Sequence, residues 1–547
     1  MSFSRRVWAL YLLLALLAGA ALYWPWLRNP TFFDDTRYFQ GNALNEIFIQ
    51  GFSFTTRWLP YFVTAWIDLI FDDKIFAQRV FSLALHLTTA YVLYALIKQI
   101  SSHAAPHHNN ERAAIVAALL FVLHPLAVYA AGYLIQRTIL MATLFGLLSL
   151  NTYFDGLTSR KKGYFIFSAL FYFLSAYSKE HALLLPAAAL ALTPLAVARE
   201  ALFSRETLQR VLLPVALYTP IFTLVVLEKL SLLGRPYEPL VDQLLDIQDV
   251  SQDKNTLWLL SVMTQAALYF KYLLLTLVPN PDWMSVDMRA PFARQLAEPK
   301  YIAAVIAVAA YGGVAVRSLM KGGRAGVAGY ALLAPLLMFC VEFSTVRIQE
   351  PFVLYRTYLW VPFLFLLVPV LTNGIQGRIF WPLMLGIALL LAVASTDRLR
   401  SFSSDQAIWD DAVKKLPDTQ TPGAARAYNN RGRARLRSGD AQGAIDDCTR
   451  AIASYDKYQT AYQVRAFAHL KLGDHQAAIR DAQTVAKLFP HDINAFTLLG
   501  VMYRGAGQLD KAIENLEVAC SRKSFTACYE LKVAEALLTE SGNTQKP

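Results

Sequence analysis

The chain has 547 residues, 55% of them hydrophobic and only 17% charged, against roughly 25% charged in soluble domains, which excludes a single soluble domain. Its formal charge of +11 is uneven: residues 401–547 hold 19 Lys+Arg and 17 Asp+Glu, so 32 and 23 of the totals of 51 and 40 fall in residues 1–400. Basic excess among apolar runs sets membrane orientation, and with no basic stripe interleaved with aromatics no nucleic-acid partner is expected.

A membrane span needs about 17–25 mostly apolar residues. In chain order the candidates are 7–26, 76–97, 113–131, 138–156, 163–177, 182–198, 211–228, 300–316, 326–342, 357–372 and 378–395. The run 257–278 contains Gln265 and Lys271 and reads as a re-entrant or interfacial hairpin that returns to the side it came from. About eleven spans then place Arg5/Arg6, Lys98/Arg112, Arg160-Lys161-Lys162, Arg199/Arg205/Arg210, Arg317/Lys321/Arg324 and Arg378 on one side, the cytoplasm. The N-terminus is cytoplasmic, and everything after residue 396 lies outside. The first run has no small-residue cleavage site after it, and Trp24-Pro25-Trp26 closes it as an interfacial belt, so it is expected to stay as an anchor.

From about residue 425 the sequence repeats every 34 residues. Tyr428, Tyr462 and Phe496 recur in phase, as do Gly432/Ala466/Gly500, Gly439/Gly473/Gly507, Ala444/Ala478/Ala512 and Ile445/Ile479/Ile513. That period is the tetratricopeptide length. Small residues let the two helices of a hairpin approach, and the Gly439-type positions supply the turn. Asp446/Asp447 reads as a solvated helix face. The expected fold is all-α: a polytopic helix bundle over 1–398, a linker and half-repeat cap at 399–424, a tetratricopeptide α-solenoid over 425–538, and a disordered tail at 539–547.

Function is sought among ionisable residues at the membrane, each costing about 2.5–3.5 kcal/mol at mid-bilayer unless it faces a polar cavity. The outer side collects Asp34 and Asp35, Arg57, Gln136 and Arg137, Lys179 and Glu180, then Arg356 and Tyr358; His86 and His124 lie within spans. Plain readings stand beside these. Paired aspartates after a span are commonly a solvated helix entrance, Arg137, Lys179 and Arg356 could snorkel to head groups, and both histidines could make interhelical hydrogen bonds. No zinc signature, Gly-rich phosphate loop or Ser-His-Asp arrangement is present, so no metal ligand set is assigned.

The strings Phe33-Asp34-Asp35, Arg57-Trp58-Leu59-Pro60-Tyr61, Phe81-Ser82-Leu83-Ala84-Leu85-His86, His124-Pro125-Leu126 running to Gln136-Arg137, Ser178-Lys179-Glu180 and Leu354-Tyr355-Arg356-Thr357-Tyr358-Leu359 occur in an order that resembles one group. This is the transmembrane and tetratricopeptide repeat (TMTC) protein O-glycosyltransferases, within the multispan GT-C class. The resemblance implies an inverting transferase of a bacterial inner membrane, with periplasmic repeats, moving a sugar from a polyprenyl-phosphate donor to a hydroxyl of an exported protein, conceivably a pilin. It maps the catalytic acid onto Asp34 or Asp35. Arg137, Lys179 and Arg356 are the candidate donor-phosphate ligands, and Arg57, His86, His124, Gln136, Glu180 and Tyr358 are supporting. No cofactor is firmly implied, although paired carboxylates also suit a divalent cation.

Cys520 and Cys528 have the spacing of Cys-x7-Cys pairs that staple helix hairpins in Sel1-like repeats; that resemblance implies a disulfide in an oxidising compartment, against two half-buried thiols. Two rival functions remain at this level. One is a non-enzymatic membrane-anchored scaffold for an envelope complex; the other is the same chemistry on lipid A or a polysaccharide. Partners on the first reading are membrane lipid, the lipid-linked donor and a protein acceptor held by the repeats.

Overall fold

The computed structural model describes residues 5–39, 43–107, 109–236, 241, 244–245, 250, 253–419 and 421–543, with the side chains of Arg5, Asp34, Arg37 and 541–543 outside that description. Helices dominate, with two isolated backbone bridges, Pro236 to Val346 and Met288 to Phe352. The chain divides into two compact units, Met1–Ser404 and Asp405–Pro547.

Among the described residues of the first unit eight helices are long and apolar enough to cross a membrane, nine if the bent pair Asn110–Val122 and Pro125–Ala131 is one span, against the eleven expected. Proline accounts for two of the runs that fall short. Pro186 and Pro194 break 182–198 into helices Leu185–Leu190 and Thr193–Ala196, and Pro362 and Pro369 break 357–372 into Val361–Leu364 and Leu367–Leu371. Each proline lacks an N–H; Pro186, Pro194 and Pro362 sit in the first turn of a new short helix, and Pro369 lies inside the last one. Irregular backbone at such depth is tolerated where protein covers it, and Trp360, Val361, Phe363 and Leu366 are buried. Gly163–Ser178, at 16 residues, also falls short of a span.

The run expected to be a re-entrant hairpin is one continuous helix, Lys254–Leu277, followed by an extended arm. The arm travels back along the helix. Ala293 N donates to Thr264 Oγ1 at 2.9 Å, and Phe292 and Tyr301 pack with Leu257 and Leu260 near the helix start. The chain therefore returns to the end it left, by helix and strand-like arm. Gln265 is buried and donates to Pro351 O, while Lys271 lies over the Phe352 ring, so both polar groups have protein surroundings.

The second unit is built from helix pairs Ala424–Ser438/Ala441–Ser454, Gln459–Lys471/His475–Leu488 and Ile493–Gly505/Leu509–Ser521, preceded by Asp405–Lys414 and closed by Phe525–Asn543. Gly439, Gly473 and Gly507 each take a positive φ (98°, 80° and 72°) between paired helices, a conformation that disfavours any residue with a Cβ. At Gly500 a Cβ would lie 2.5 Å from Leu516 Cγ, so the small-residue column is a close-packing requirement. Two expectations change here. Asp447 is 1% exposed and accepts both nitrogens of the Arg431 fork, at 2.8 and 2.6 Å, so it is a buried ion-pair partner, not a solvated residue. The last helix runs to Asn543 and takes in the first part of the expected disordered tail; residues 544–547 lie outside the described residues.

Candidate functional site

The segment after the first apolar helix brings Asp35 inward. Phe33 has φ 48° and Arg57 φ 66°, two of only four described non-glycine residues in the left-handed region, and they flank the segment at either end. Such strain persists only where surroundings over-determine it, and it clusters at functional sites. Asp35 is fully buried, with Oδ1 accepting Ile135 N at 2.8 Å and Oδ2 accepting Leu134 N at 3.3 Å. Burial pushes its carboxyl up to about 7, against the opposing pull of the Ile135 N–H and the Arg79 charge. A carboxylate poised there can take up a proton at neutral pH. Its two backbone bonds leave further lone pairs to use. The neighbouring cleft, walled by Tyr38, Leu44, Pro60, Tyr61 and Arg137, has about 10 Å³ of free space, room for one water. A sugar ring enters only if its walls part. The side chain of Asp34, the other candidate acid, lies outside the described residues.

Two buried arginines hold this corner together. Arg79 donates to Asn29 O, Gly132 O and Pro30 O at 2.9, 3.0 and 2.5 Å, tying the segment ahead of Asp35 to the turn ahead of Leu134. Arg137, 1% exposed, donates to Thr64 Oγ1, Gln78 Oε1, Gln78 O and Ser82 Oγ. Both terminal nitrogens are thus engaged with neighbouring helices, while Nε is buried without a hydrogen-bond partner.

A second cluster gathers Arg57, Lys179, Glu180, His181, Glu342, Arg347 and Arg356. Arg57 grips Glu180 through Nε at 2.9 Å and through Nη2. Burial acts to raise the Glu180 pKa, yet the Arg57 charge and hydrogen bond hold it well below the usual carboxylate range. His181 stands between two acids, Nδ1 3.4 Å from Glu180 and Nε2 3.3 Å from Glu342. Glu342 also takes Arg356 Nη1 at 3.0 Å, with Arg347 Nε 3.6 Å away. Lys179 and the Arg356 guanidinium lie 5.8 and 5.9 Å from the centre of the Tyr355 ring. Burial, then the charges of Arg57, Arg356 and Arg347, push the Lys179 ammonium down to about 7, with Glu180 opposing. Tyr61 links the two clusters, stacking on Tyr38 beside Asp35 at 5.1 Å and coupling to Arg57.

Lys179, Glu180, Arg356 and Arg57 thus come together in one cluster. Three supporting residues do not join them. His86 bonds Tyr358 Oη at 2.7 Å and Val122 O at 3.2 Å, and His124 bonds Leu126 N and Thr276 O, so these two histidines and Tyr358 serve helix packing. Gln136 is buried beside Arg137, between the Asp35-binding N–H groups and the helix that follows. Glu342, Arg347 and Arg79 carried no sequence-level assignment, though an acid at the end of the 326–342 run was the signal to follow for Glu342. Among the described residues no group of three His, Cys, Asp or Glu side chains is placed to hold a metal. Cys520 and Cys528 form a disulfide, Cα to Cα 4.7 Å.

A family model described as tetratricopeptide repeat matches residues 403–458 and 465–525. The C-terminal unit is therefore a tetratricopeptide-repeat module, a kind of domain that binds proteins. No curated protein matches the chain. Among solved structures it is similar to "Crystal structure of MamA protein" at 25% identity, over 28% of this chain and 91% of that one, with a TM-score of 0.21. It is also similar to "Crystal structure of APC/C hetero-tetramer Cut9-Hcn1" at 16% identity, over 92% and 91%, with a TM-score of 0.23. Scores this low carry no weight for function.

Proposed function

We propose that the chain is a membrane-embedded GT-C type glycosyltransferase that moves a sugar from a polyprenyl-phosphate donor to a hydroxyl of an exported protein, outside the cytoplasm. The observation that carries this reading is the convergence of Lys179 and Arg356 on one ring, with Arg356 oriented by Glu342 through Nη1 and keeping a buried Nε without a partner. In the step envisaged, the acceptor oxygen attacks sugar C1, the bond from C1 to the phosphate oxygen breaks, and its electron pair leaves on the lipid phosphate. The hydroxyl proton passes to a carboxylate of the Asp34/Asp35 pair. One displacement inverts C1. The leaving group already carries negative charge, so it needs cations more than an acid. Lys179 supplies a point charge and Arg356 a planar fork. The repeats serve to raise the acceptor's effective concentration.

The test is to reconstitute the full chain in proteoliposomes with a radiolabelled polyprenyl-phosphate sugar and secreted proteins of the same cells. Label should move to protein, and Asp34→Asn with Asp35→Asn should stop it while insertion and thermal unfolding stay as in the parent. Full transfer by the double variant removes the proposed base. A second reading, a membrane-anchored scaffold, is favoured by the repeat module alone. It prevails if no label moves to protein or lipid while the repeats retain a bound partner.

A further inference from the structure

The scheme above leaves the residue at the centre of the cation cluster without a task. Tyr355 has Lys179 and Arg356 near its ring, and its phenol couples electrostatically to Arg57 and Arg347 as well. Four cations from three distant stretches of chain therefore converge on one phenol, with the Glu350 carboxylate coupled to it as well. Two of them have donors to spare. Arg356 spends Nη1 on Glu342, which orients the guanidinium, while its Nε is buried without a hydrogen-bond partner. The Lys179 ammonium makes no hydrogen bond or ion pair among the described residues. Like charges crowded in a buried place repel, and an aromatic face offsets part of that cost. Glu180, Glu342 and Glu350 offset a further part, which leaves four cations against three acids and room for a bound anion. Burial also pushes the phenol up, so it keeps its proton at neutral pH and has an O–H to donate.

We propose that Tyr355 is the specificity-determining residue of this anion site: its ring seats Lys179 and Arg356, and its hydroxyl donates to a non-bridging oxygen of the lipid phosphate those cations hold. The inference rests on the lipid-phosphate reading above and adds a third donor type to the site. A plain packing role for Tyr355 would require the ring and not the hydroxyl, and the two are separable by substitution.

The experiment measures equilibrium binding of radiolabelled undecaprenyl phosphate to the full chain in nanodiscs, for the parent, Tyr355→Phe and Tyr355→Leu, with thermal unfolding in parallel. Loss of one hydrogen bond to a charged group should weaken Tyr355→Phe about tenfold or more with unfolding unchanged. Tyr355→Leu, which also unseats the two cations, should bind more weakly still. Parent-like affinity in Tyr355→Phe overturns the role of the hydroxyl and leaves the donor reading standing. A folded parent that binds no undecaprenyl phosphate overturns the donor reading and this inference with it. Competition by millimolar inorganic phosphate separates the sources: failure to displace the lipid supports a lipid-phosphate site, and full displacement marks a free-phosphate site and overturns the proposal.

Discussion

Arginine and carboxylate meet in both units of the chain, with different arithmetic. In the repeats the Arg431 fork closes on Asp447, which also takes Arg435 Nη1 at 3.0 Å, and, 34 residues on, the Arg465 fork closes on Asp481 at 2.8 Å through both nitrogens. The third repeat replaces the pair with Leu499 and Asn515 and keeps the same fold, so the pairs are interchangeable parts of a scaffold. In the first unit four cations lie about Tyr355, with the acids Glu180, Glu342 and Glu350 among them. A matched pair has spent its field on its partner; an unmatched group still has field to offer a ligand. Arg137, also in the first unit, spends its terminal nitrogens on neutral oxygens of Thr64, Gln78 and Ser82 instead.

That contrast breaks most visibly at Arg137. Arg137→Ala should cost about 3 kcal/mol or more of stability, since it strands buried polar partners on neighbouring helices. Thermal unfolding in detergent reads this, and an unchanged melting temperature would return Arg137 to the list of ligand groups. Next in size, Lys179→Ala and Arg356→Ala should each weaken undecaprenyl phosphate binding about a hundredfold, by loss of a charge-assisted contact in a buried site. Asp447→Asn in the same assay should bind as the parent does. Asp447→Asn should instead loosen the repeats by about 2 kcal/mol, visible as faster hydrogen exchange confined to Ala424–Ser454 and its neighbours.

Reducing the Cys520 to Cys528 bond should cost the last hairpin about 2 kcal/mol at most, because the closed loop is short, and proteolysis at the C-terminal helix would report it. The smallest effect is a titration. Burial lowers Lys179 from its ordinary value to about 7, so the ammonium is charged below that pH and neutral above it. Lipid-phosphate affinity should therefore fall as pH rises above about 7, roughly tenfold per unit at the steepest, and Lys179→Ala should show no such slope. For the unliganded protein the sign is opposite. The unfolded chain holds the Lys179 proton more tightly, so stability contributed by this group is lost as pH falls from about 10 towards 7.

The repeat module was legible in the sequence because its contacts are local. Five columns at a spacing of 34 record helix-to-helix approaches made within one hairpin or to the next, and the Gly439, Gly473 and Gly507 turns need only a backbone that lacks a Cβ. Apolar runs likewise announced where long helices lie. What they left out was continuity: Pro186, Pro194, Pro362 and Pro369 sit inside runs whose hydropathy is high, and composition averages over a missing N–H.

The site was legible only as a collection of ionisable residues near helix ends. Lys179 and Arg356 stand beside one ring, while Arg137, grouped with them by its charge, lies among Thr64, Gln78 and Ser82. Residue type determined which groups could bear charge and which segments had to be buried. Tertiary structure decided whether that charge was spent, since the partners that consume Arg137 and those that leave Lys179 open are brought in from helices dozens to hundreds of residues away, and a Coulomb interaction depends on separation in space, not along the chain.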